Sequence, residues 1–204
     1  MYVIIPMTGY GSRFVAAGYK ELKPFIPVMG VPVIEWIVKK MYPADTDFIF
    51  VCRGEHLKED ASMEKRLVEL APRAKIVSIK DWIKKGPVYD VLRAYRELKD
   101  SHQIDVEKPC IINYCDFYMT WDFQTFARMA KERDCDGSVP CYTGFHPNLL
   151  PQKNYYASCL TDDEDNLLEI REKYSFEKDK TMAKHSPGVY YFKNGYLMEK
   201  YCQI

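Results

Sequence analysis

The chain has 204 residues, of which 47% are hydrophobic, and its 29 basic and 29 acidic side chains give a formal net charge of zero. A chain of this length and composition can bury a substantial core, so we expect a single domain over residues 1–204 and exclude a disordered protein. Zero net charge gives no support to a general nucleic-acid or membrane-surface binder, because such proteins are usually basic. Any recognition of anions must therefore be local.

The sequence shows no segment for export or membrane insertion. No apolar stretch approaches the roughly 20 residues that span a bilayer, and the N-terminus lacks the basic and apolar regions of a secretory signal. The seven cysteines form an odd set with no CxxC pair, and several lie in apolar runs. We therefore expect reduced, buried thiols and a cytoplasmic location rather than disulfides or a zinc site.

In the first part of the chain, apolar strand-like runs alternate with helical ones. In chain order we expect a strand at 2–6, a helix at 33–41 after the turn Met29-Gly30, a strand at 48–52, a helix at 62–71, a strand at 75–79, a helix at 88–98, a strand at 110–115 and a helix at about 123–132. Ser62 and Asp122 are the expected caps of their helices. Near-continuous apolar strands between helices are typical of a parallel sheet covered on both faces.

After Gly137 the pattern changes to short strands with few helices between them. The expected strands are at 138–143, 155–161, 167–172 and 188–192, and a helix follows at 196–202. An acidic turn at 162–166 joins two of these strands. The sequence therefore predicts an α/β protein with a Rossmann-like three-layer α/β/α architecture and a mostly parallel, mixed central sheet.

The first expected strand leads into a glycine-rich basic loop with the sequence GYGSRF. The loop is not a Walker phosphate loop, because no G-x-x-x-x-G-K-[ST] string occurs, and Phe14 stands where the dinucleotide fingerprint has its third glycine. Gly9 and Gly11 leave backbone N–H groups open to an anion, and Arg13 can hold phosphate oxygens with two parallel hydrogen bonds.

Two further features favour phosphate binding at this loop. Lys23, held just before Pro24, supplies a second positive charge. The loop also follows the carboxyl end of the first strand, where open α/β sheets bind their ligands. The alternative, a mobile turn in which Arg13 is only a solvated charge, stays open at this point.

These residues resemble the signature of the sugar-phosphate nucleotidyltransferases, also called NDP-sugar pyrophosphorylases. The first block, GYGSRF followed by KPFIPVMGVPVIEWIV, matches the family pattern of G-x-G-[ST]-R-apolar, a spacer, K-P, a short apolar strand, G-x-P and a helix. Later blocks follow in the family's order: KKGPVYDVLRA, NYCDF, LLEIREK and HSPGVYYF. Together they cover nearly the whole chain, and the resemblance implies a GT-A-like nucleotidyltransferase fold.

The resemblance implies a reaction in which a phosphorylated sugar or sugar-like acceptor attacks the α-phosphorus of a nucleoside triphosphate and pyrophosphate leaves. It implies Mg²⁺ as the cofactor and these two small molecules as the partners, with no nucleic acid and no membrane. The expected role is capsule or other surface-polysaccharide biosynthesis. Three points stay open: whether the base is cytosine, uracil or thymine, whether the protein is instead a cytidylyltransferase that acts on a non-sugar phosphate, and whether it forms a homo-oligomer.

The family's functional residues map onto positions of this chain. The implied catalytic residues are Arg13 for the leaving pyrophosphate, Lys23 for the α-phosphate region and Asp116 for the metal. The implied nucleotide-binding residues are Gly9, Tyr10, Gly11, Ser12 and Gly86, with Tyr10 and Gly86 meeting the base largely through backbone groups. The implied acceptor-binding residues are Lys173 for the phosphate and Gly188, which leaves room for the acceptor.

The chain also departs from the family pattern. Pro6-Met7-Thr8 stands where the family commonly has two small residues, and Pro87 replaces a frequent small-residue pair in the base-contacting loop. The family's second metal aspartate lies in a downstream segment, whereas this sequence stops at Ile204. We expect one of three explanations: a catalytic piece of a longer protein, a metal site completed differently, or an inactive protein.

Structural alternatives to these roles stay open. Asp116 could be a turn or cap residue, Lys173 could pair with Glu172 or Glu169 on a surface strand, and Gly188 could be a β-bulge. The four histidines have no spacing suited to metal or triad chemistry.

Two other functions also stay open. A GT-A-type glycosyltransferase that uses a nucleotide sugar is expected to carry a D-x-D pair, and Asp116-Phe117-Tyr118 supplies only the first acid. The other function is a non-catalytic nucleotide-binding or regulatory domain, which the absence of the second aspartate favours.

Overall fold

The computed structural model describes residues 1–203, which form two compact units. The first unit comprises Met1–Ser138 and the segment from Tyr190 onward, and the second comprises Val139–Val189. A single domain over the whole chain stays a prediction. Within the described residues, every helix is too short or too polar to cross a bilayer.

The elements occur in the alternating order that the sequence predicts for the first part of the chain. The strands are β1 (Tyr2–Met7), β2 (Pro27–Val28), β3 (Val31–Pro32), β4 (Asp47–Arg53), β5 (Lys75–Ile79), β6 (Cys110–Asn113), β7 (Gly137–Ser138), β8 (Ala157–Thr161), β9 (Leu167–Arg171), β10 (Lys184–Ser186) and β11 (Val189–Phe192). The α-helices are α1 (Ser12–Ala16), α2 (Val33–Trp36), α3 (Gly54–Glu59), α4 (Met63–Leu70), α5 (Pro87–Asp100), α6 (Phe123–Glu132) and α7 (Gly195–Tyr201). A π-helix at Ile37–Met41 continues α2, and short 3-10 helices lie at Lys23–Phe25 and Pro147–Leu149.

A six-stranded sheet with the order β5-β4-β1-β6-β11-β7 forms the centre of the first unit. β1 pairs in parallel with both β4 and β6, β4 pairs in parallel with β5, and β7 is antiparallel to β11. All six residues of β1 are buried, because helices cover a parallel sheet on both faces. The prediction of a mostly parallel mixed sheet is confirmed.

Helices cover both faces of this sheet. On one face, alternate residues of β1, β4, β5 and β6 pack with Val91 and Leu98 of α5 and with Met198 of α7. On the other face, the Phe48 ring stacks on Phe50 and meets the Tyr42 ring edge-to-face at 6.0 Å, and Tyr42 directly follows the π-helix. Phe123, the first residue of α6, contacts the same Tyr42 ring at 5.7 Å. The three-layer prediction is therefore confirmed.

The α7 helix approaches α5 very closely at one position. A Cβ atom built on Gly195 would lie 1.5 Å from the hydroxyl oxygen of Tyr95, a core residue that is only 1% exposed. The Asn194 side chain accepts a hydrogen bond from the backbone N–H of Leu197 at 3.0 Å and so caps the helix. Only glycine fits at the first position of α7.

The second unit contains a three-stranded antiparallel sheet with the order β10-β8-β9. The predicted acidic turn joins β8 to β9, and there the backbone N–H of Asp162 donates to the carbonyl of Asn166 at 3.1 Å. Asp165 takes a left-handed backbone conformation (φ 63°) that aspartate tolerates better than most residues. This prediction is confirmed.

Two predictions of local structure are wrong. Ser62 stands at the start of α4 but does not cap it, because its hydroxyl donates to Asp60 Oδ1 at 2.6 Å. The strand expected at 138–143 ends at Ser138, because Pro140 has no N–H to donate to a ladder. The predicted Asp122 cap is confirmed, since Asp122 accepts from the N–H of Thr125 at 3.0 Å.

Candidate functional site

The loop after β1, the turn after β6 and the segment between β5 and α5 all follow the carboxyl ends of parallel strands of the central sheet. The carboxyl ends of parallel strands lie at one edge of the sheet. Gly11 has a left-handed backbone (φ 61°), and a Cβ on it would lie 3.3 Å from Cβ of Lys23. A side chain at position 11 would therefore crowd Lys23. Glycine at this position lets the loop lie directly against the lysine.

An ion pair joins the second positive charge of the loop region to the predicted metal ligand. Lys23 Nζ lies 2.6 Å from Asp116 Oδ2, and the two side chains are 27% and 39% exposed. Asp116 lies in the turn beyond the end of β6. The structure therefore brings together Gly11, Lys23 and Asp116 at a place that a dissolved ligand can reach.

Arg13 projects from a short exposed helix instead of a loop. The carbonyl of Gly11 accepts hydrogen bonds from the N–H groups of Phe14 and Val15, so that Ser12 and Arg13 form the first turn of α1. Within residues 1–203, the Arg13 guanidinium forms no ion pair with a carboxylate. Its charge is therefore available to an anion.

The donor set at Asp116 fits a magnesium ion that arrives with a phosphate ligand. Within residues 1–203, no group of three or more histidine, cysteine, aspartate or glutamate side chains is placed to hold a metal ion. Mg²⁺ usually keeps several waters and takes one or two carboxylates together with substrate phosphates. One partly exposed carboxylate fits that mode and does not fit a closed protein cage.

Cys115 is next to Asp116 but cannot serve as a nucleophile in the resting protein. The thiol is buried, and burial raises the pKa of Cys115 to about 12. A thiol with such a pKa stays protonated at neutral pH, and only the thiolate is nucleophilic. All seven cysteines are free. The expectation of buried thiols holds for Cys52, Cys110, Cys115 and Cys159, whereas Cys135 and Cys202 are half-buried and Cys141 is exposed.

A second group of contacts begins one residue before the glycine-rich loop. The hydroxyl of Thr8 donates to Asp90 Oδ2 at 2.5 Å, and the indole N–H of Trp82 donates to the same oxygen at 2.8 Å. Asp90 lies in the first turn of α5 and is only 1% exposed. This buried carboxylate therefore ties the entry of the loop to the start of α5 and to Trp82.

A buried arginine lies beside this group. Arg53, the last residue of β4, is 4% exposed, and its guanidinium carbon lies 3.8 Å from the centre of the Tyr10 ring and 4.3 Å from that of Trp82. Arg53 Nη2 donates hydrogen bonds to the Tyr10 hydroxyl and to Glu55. We call Tyr10, Arg53 and Trp82 the Arg53 cluster.

The stability of the protein is expected to fall as the pH drops from about 7.5 to about 5.5, in part because of His56. Burial, and then the charge of Arg53, lowers the pKa of His56. Below about pH 6.5 the unfolded chain therefore takes up a proton that the folded protein resists, which favours unfolding. Urea unfolding midpoints of His56→Asn should depend less on pH across this window than those of the wild type.

His102→Asn is the matched control for this prediction, because His102 is exposed. It should keep the wild-type pH dependence. Equal slopes for wild type and His56→Asn would contradict the assignment to His56.

Comparison with solved structures identifies the fold. The structure resembles the crystal structure of a nucleoside-diphosphate-sugar pyrophosphorylase from Vibrio cholerae RC9, with a TM-score of 0.75 and 19% sequence identity over 98% of this chain and 76% of that chain. The chain has the pyrophosphorylase fold. No protein-family model and no curated protein sequence matches it.

Two further solved structures share the pyrophosphorylase fold with this chain. One is a UDP-glucose pyrophosphorylase complexed with UDP-glucose, with a TM-score of 0.65 and 13% identity over 94% of this chain and 75% of that chain. The other is an apo UDP-glucose pyrophosphorylase, with a TM-score of 0.64 and 13% identity over 98% of this chain and 79% of that chain. The predicted GT-A-like nucleotidyltransferase fold is confirmed.

Of the remaining predicted site residues, two belong to the first unit and two to the second. Gly9 is exposed, and Gly86 (φ 98°) stands immediately before Pro87 at the start of α5. Lys173 and Gly188 belong to the second unit: Lys173 follows β9 and lies 3.9 Å from Glu172 Oε1, and Gly188 (φ 87°) precedes β11. Their roles in binding stay predictions.

Sequence reasoning missed Arg53, Trp82 and Asp90. Arg53 ends an apolar strand, where a charged residue is easily read as the exposed boundary of the strand. Asp90 follows the KKGP block and resembles an ordinary acidic residue in the first turn of a helix. The sequence offered only a weak signal, which is that Arg53 ends one strand and Trp82 lies three residues beyond the end of another. The partners of all three residues become apparent only once the strands are in register.

Proposed function

We propose that this protein is a nucleotidyltransferase that transfers a nucleoside monophosphate from a nucleoside triphosphate to a phosphorylated sugar or sugar-like acceptor and releases pyrophosphate. The observation that carries the proposal is the proximity of Gly11, Lys23 and Asp116 at the carboxyl edge of the sheet. The pyrophosphorylase fold supports it, and one solved structure with that fold is complexed with UDP-glucose.

The charged residues at this edge suit a reaction between two phosphate-bearing anions. An acceptor phosphate oxygen forms a bond to the α-phosphorus, and the bond from that phosphorus to the bridging oxygen of the β-phosphate breaks. The departing pyrophosphate keeps the electron pair. A phosphate monoester is already an anion at neutral pH, so its attack requires no general base. The main tasks of the protein are to neutralise charge and to position the reactants.

In this proposal each charged side chain has a separate task. Lys23 stabilises charge at the α-phosphate, and Arg13 holds the pyrophosphate oxygens as they leave. Asp116 would hold Mg²⁺, which when bound neutralises phosphate charge. Gly9 and Gly11 give the phosphates access to backbone N–H groups, with Ser12 as a hydrogen-bonding neighbour. Lys173 and Gly188 stay the proposed residues for the acceptor.

The wider setting of the reaction follows from the family resemblance and is part of the same proposal. The product would be a nucleotide-activated sugar used for capsule or other surface-polysaccharide assembly. The reaction would take place in the cytoplasm, a compartment in which seven free cysteines are expected.

An assay of pyrophosphate release tests the proposal. The protein is incubated with Mg²⁺, each of CTP, UTP, dTTP, ATP and GTP, and a panel of sugar 1-phosphates together with phosphocholine. At least one triphosphate should yield pyrophosphate, and only when an acceptor is present. The nucleotide product should appear in equal amount by chromatography.

Controls without acceptor measure hydrolysis of the triphosphate. Release of nucleoside diphosphate from UDP-glucose, with no pyrophosphate from any triphosphate, would instead indicate a glycosyltransferase. No turnover and no triphosphate binding by calorimetry would overturn the proposal.

A further inference from the structure

Tyr10 combines high exposure with a fixed orientation. The residue is 53% exposed, yet its ring contacts the Arg53 guanidinium at 3.8 Å and the Trp82 ring edge-to-face at 5.3 Å. The His56 ring lies at 6.4 Å, and the hydroxyl accepts a hydrogen bond from Arg53 Nη2. An ordinary exposed tyrosine has no such set of contacts, so this ring presents an aromatic surface to solvent in one orientation.

The position in which Arg53 contacts the Tyr10 ring leaves part of the Arg53 guanidinium group without hydrogen bonds. Within residues 1–203, its Nε and Nη1 atoms are buried without a hydrogen-bond partner. A buried charged group with unsatisfied donors destabilises the folded state. In native proteins such groups are few, and they concentrate where function requires an arrangement that packing alone would not select.

The backbone under Tyr10 is also held in place. Thr8, two residues earlier, donates to the buried Asp90 carboxylate, and Trp82 donates to the same oxygen. Asp90 Oδ1 is itself buried without a partner within the described residues. The loop and the aromatic residue behind Tyr10 thus share one buried anchor.

We infer that Arg53 is a positioning residue that holds the Tyr10 ring as a stacking surface for the base of the bound nucleotide. The inference rests on the proposed function and adds to it, because it gives the Tyr10 side chain a role beyond its backbone contacts. A ring that is already oriented loses little conformational freedom when a base stacks on it. Stacking accepts every base, so the Arg53 cluster supplies affinity for the nucleoside and does not select among bases.

Isothermal titration with two kinds of probe tests the inference. The first kind is CTP, UTP, dTTP, ATP or GTP, each with Mg²⁺, and the second is inorganic tripolyphosphate with Mg²⁺, which has no base. Tyr10→Ala should weaken binding of every triphosphate that the wild type binds by about 10- to 100-fold. Tripolyphosphate binding should not change, because Tyr10 is not expected to contact the phosphates.

A double-mutant cycle tests whether Arg53 acts through Tyr10. Arg53→Lys keeps the charge but loses the planar fork, so it should weaken triphosphate binding in the wild-type background. The same change should have no further effect in the Tyr10→Ala protein. A merely structural role for Arg53 would lower the affinity equally in both backgrounds. If Arg53→Lys does not fold, as measured by thermal unfolding, Arg53→Gln takes its place in the cycle, and Tyr10→Ala still decides whether the Tyr10 ring contributes to nucleotide affinity.

Tyr19→Ala is the matched control, because Tyr19 belongs to the same segment, is 49% exposed, and packs on Phe14 at 5.9 Å without contacting Arg53. Triphosphate affinity should stay at the wild-type value in this variant. Unchanged triphosphate affinity in Tyr10→Ala would overturn the inference and leave the proposed function standing. Failure of the wild type to bind any of the triphosphates would overturn both.

Discussion

Replacing Asp116 with asparagine is expected to lower the turnover number by about 100-fold or more without weakening the binding of metal-free nucleoside triphosphate. The change removes the carboxylate proposed to hold Mg²⁺, and it also releases Lys23, whose ammonium lies 2.6 Å from that carboxylate. The released lysine can then bind phosphate. Turnover is measured by pyrophosphate release, and affinity by calorimetry in the presence of a chelator.

Asp134→Asn is the matched control for Asp116→Asn. Asp134 also forms an ion pair with a lysine, at 2.7 Å from Lys193 Nζ, but it follows α6 and is not among the proposed site residues. This variant should keep wild-type turnover. Turnover of Asp116→Asn within about threefold of wild type would exclude Asp116 as the metal ligand. If wild type and variant bind nucleotide equally and neither turns over, the protein is a non-catalytic nucleotide-binding domain.

Gly195→Ala is expected to lower the free energy of unfolding by about 3 kcal/mol, the upper end of the usual range for overpacking. The added methyl group would lie 1.5 Å from the Tyr95 hydroxyl oxygen and 2.4 Å from the ring carbon that bears it. Tyr95 is 1% exposed, so its ring has no free space into which to move. For a chain of this length the midpoint of thermal unfolding should fall by about 6–12 °C.

Two variants show whether this loss arises from the contact with Tyr95. Gly9→Ala makes the same chemical change at a position with nothing within 4 Å, so it should leave the unfolding midpoint nearly unchanged. Tyr95→Leu removes the hydroxyl and the ring, and with them the group that the new methyl group would meet. The double variant should therefore be destabilised by less than the sum of the two single variants. Additive effects would contradict a direct clash.

The parts of the fold that the sequence predicted are those set by burial on both faces of the sheet. β1, β4 and β5 form within about a residue or two of the expected ranges, because an apolar run this short and continuous fits a central parallel strand. The hairpin of β2 and β3 was not predicted, since each of its strands has only two residues and includes a proline. Met29 and Gly30, both with positive φ, form the turn of that hairpin, and the sequence indicated this turn.

The candidate site could be predicted only in part. Lys23 and Asp116 are far apart in sequence, and local patterns cannot show that they meet. The family resemblance placed both in one site but did not predict their ion pair. The contact arises because β1 and β6 are neighbours and parallel, so the segments that follow them emerge at one edge. No pattern indicated Arg53, because its role depends on two rings from other segments. The helical turn at Ser12–Ala16 was also missed, since it buries no residue and leaves no apolar period.

The ion pair between Lys23 and Asp116 has a thermodynamic consequence for the order of events at the site. An anion that binds to Lys23 leaves Asp116 without its counter-ion, and a cation that binds to Asp116 leaves Lys23 without its counter-ion. A ligand that binds alone must therefore supply all of the free energy that is needed to separate the two side chains. An anion and a cation that bind together need to supply that free energy only once. Triphosphate and metal should raise each other's affinity by the same factor, and free phosphate, without a metal partner, should compete poorly for the site.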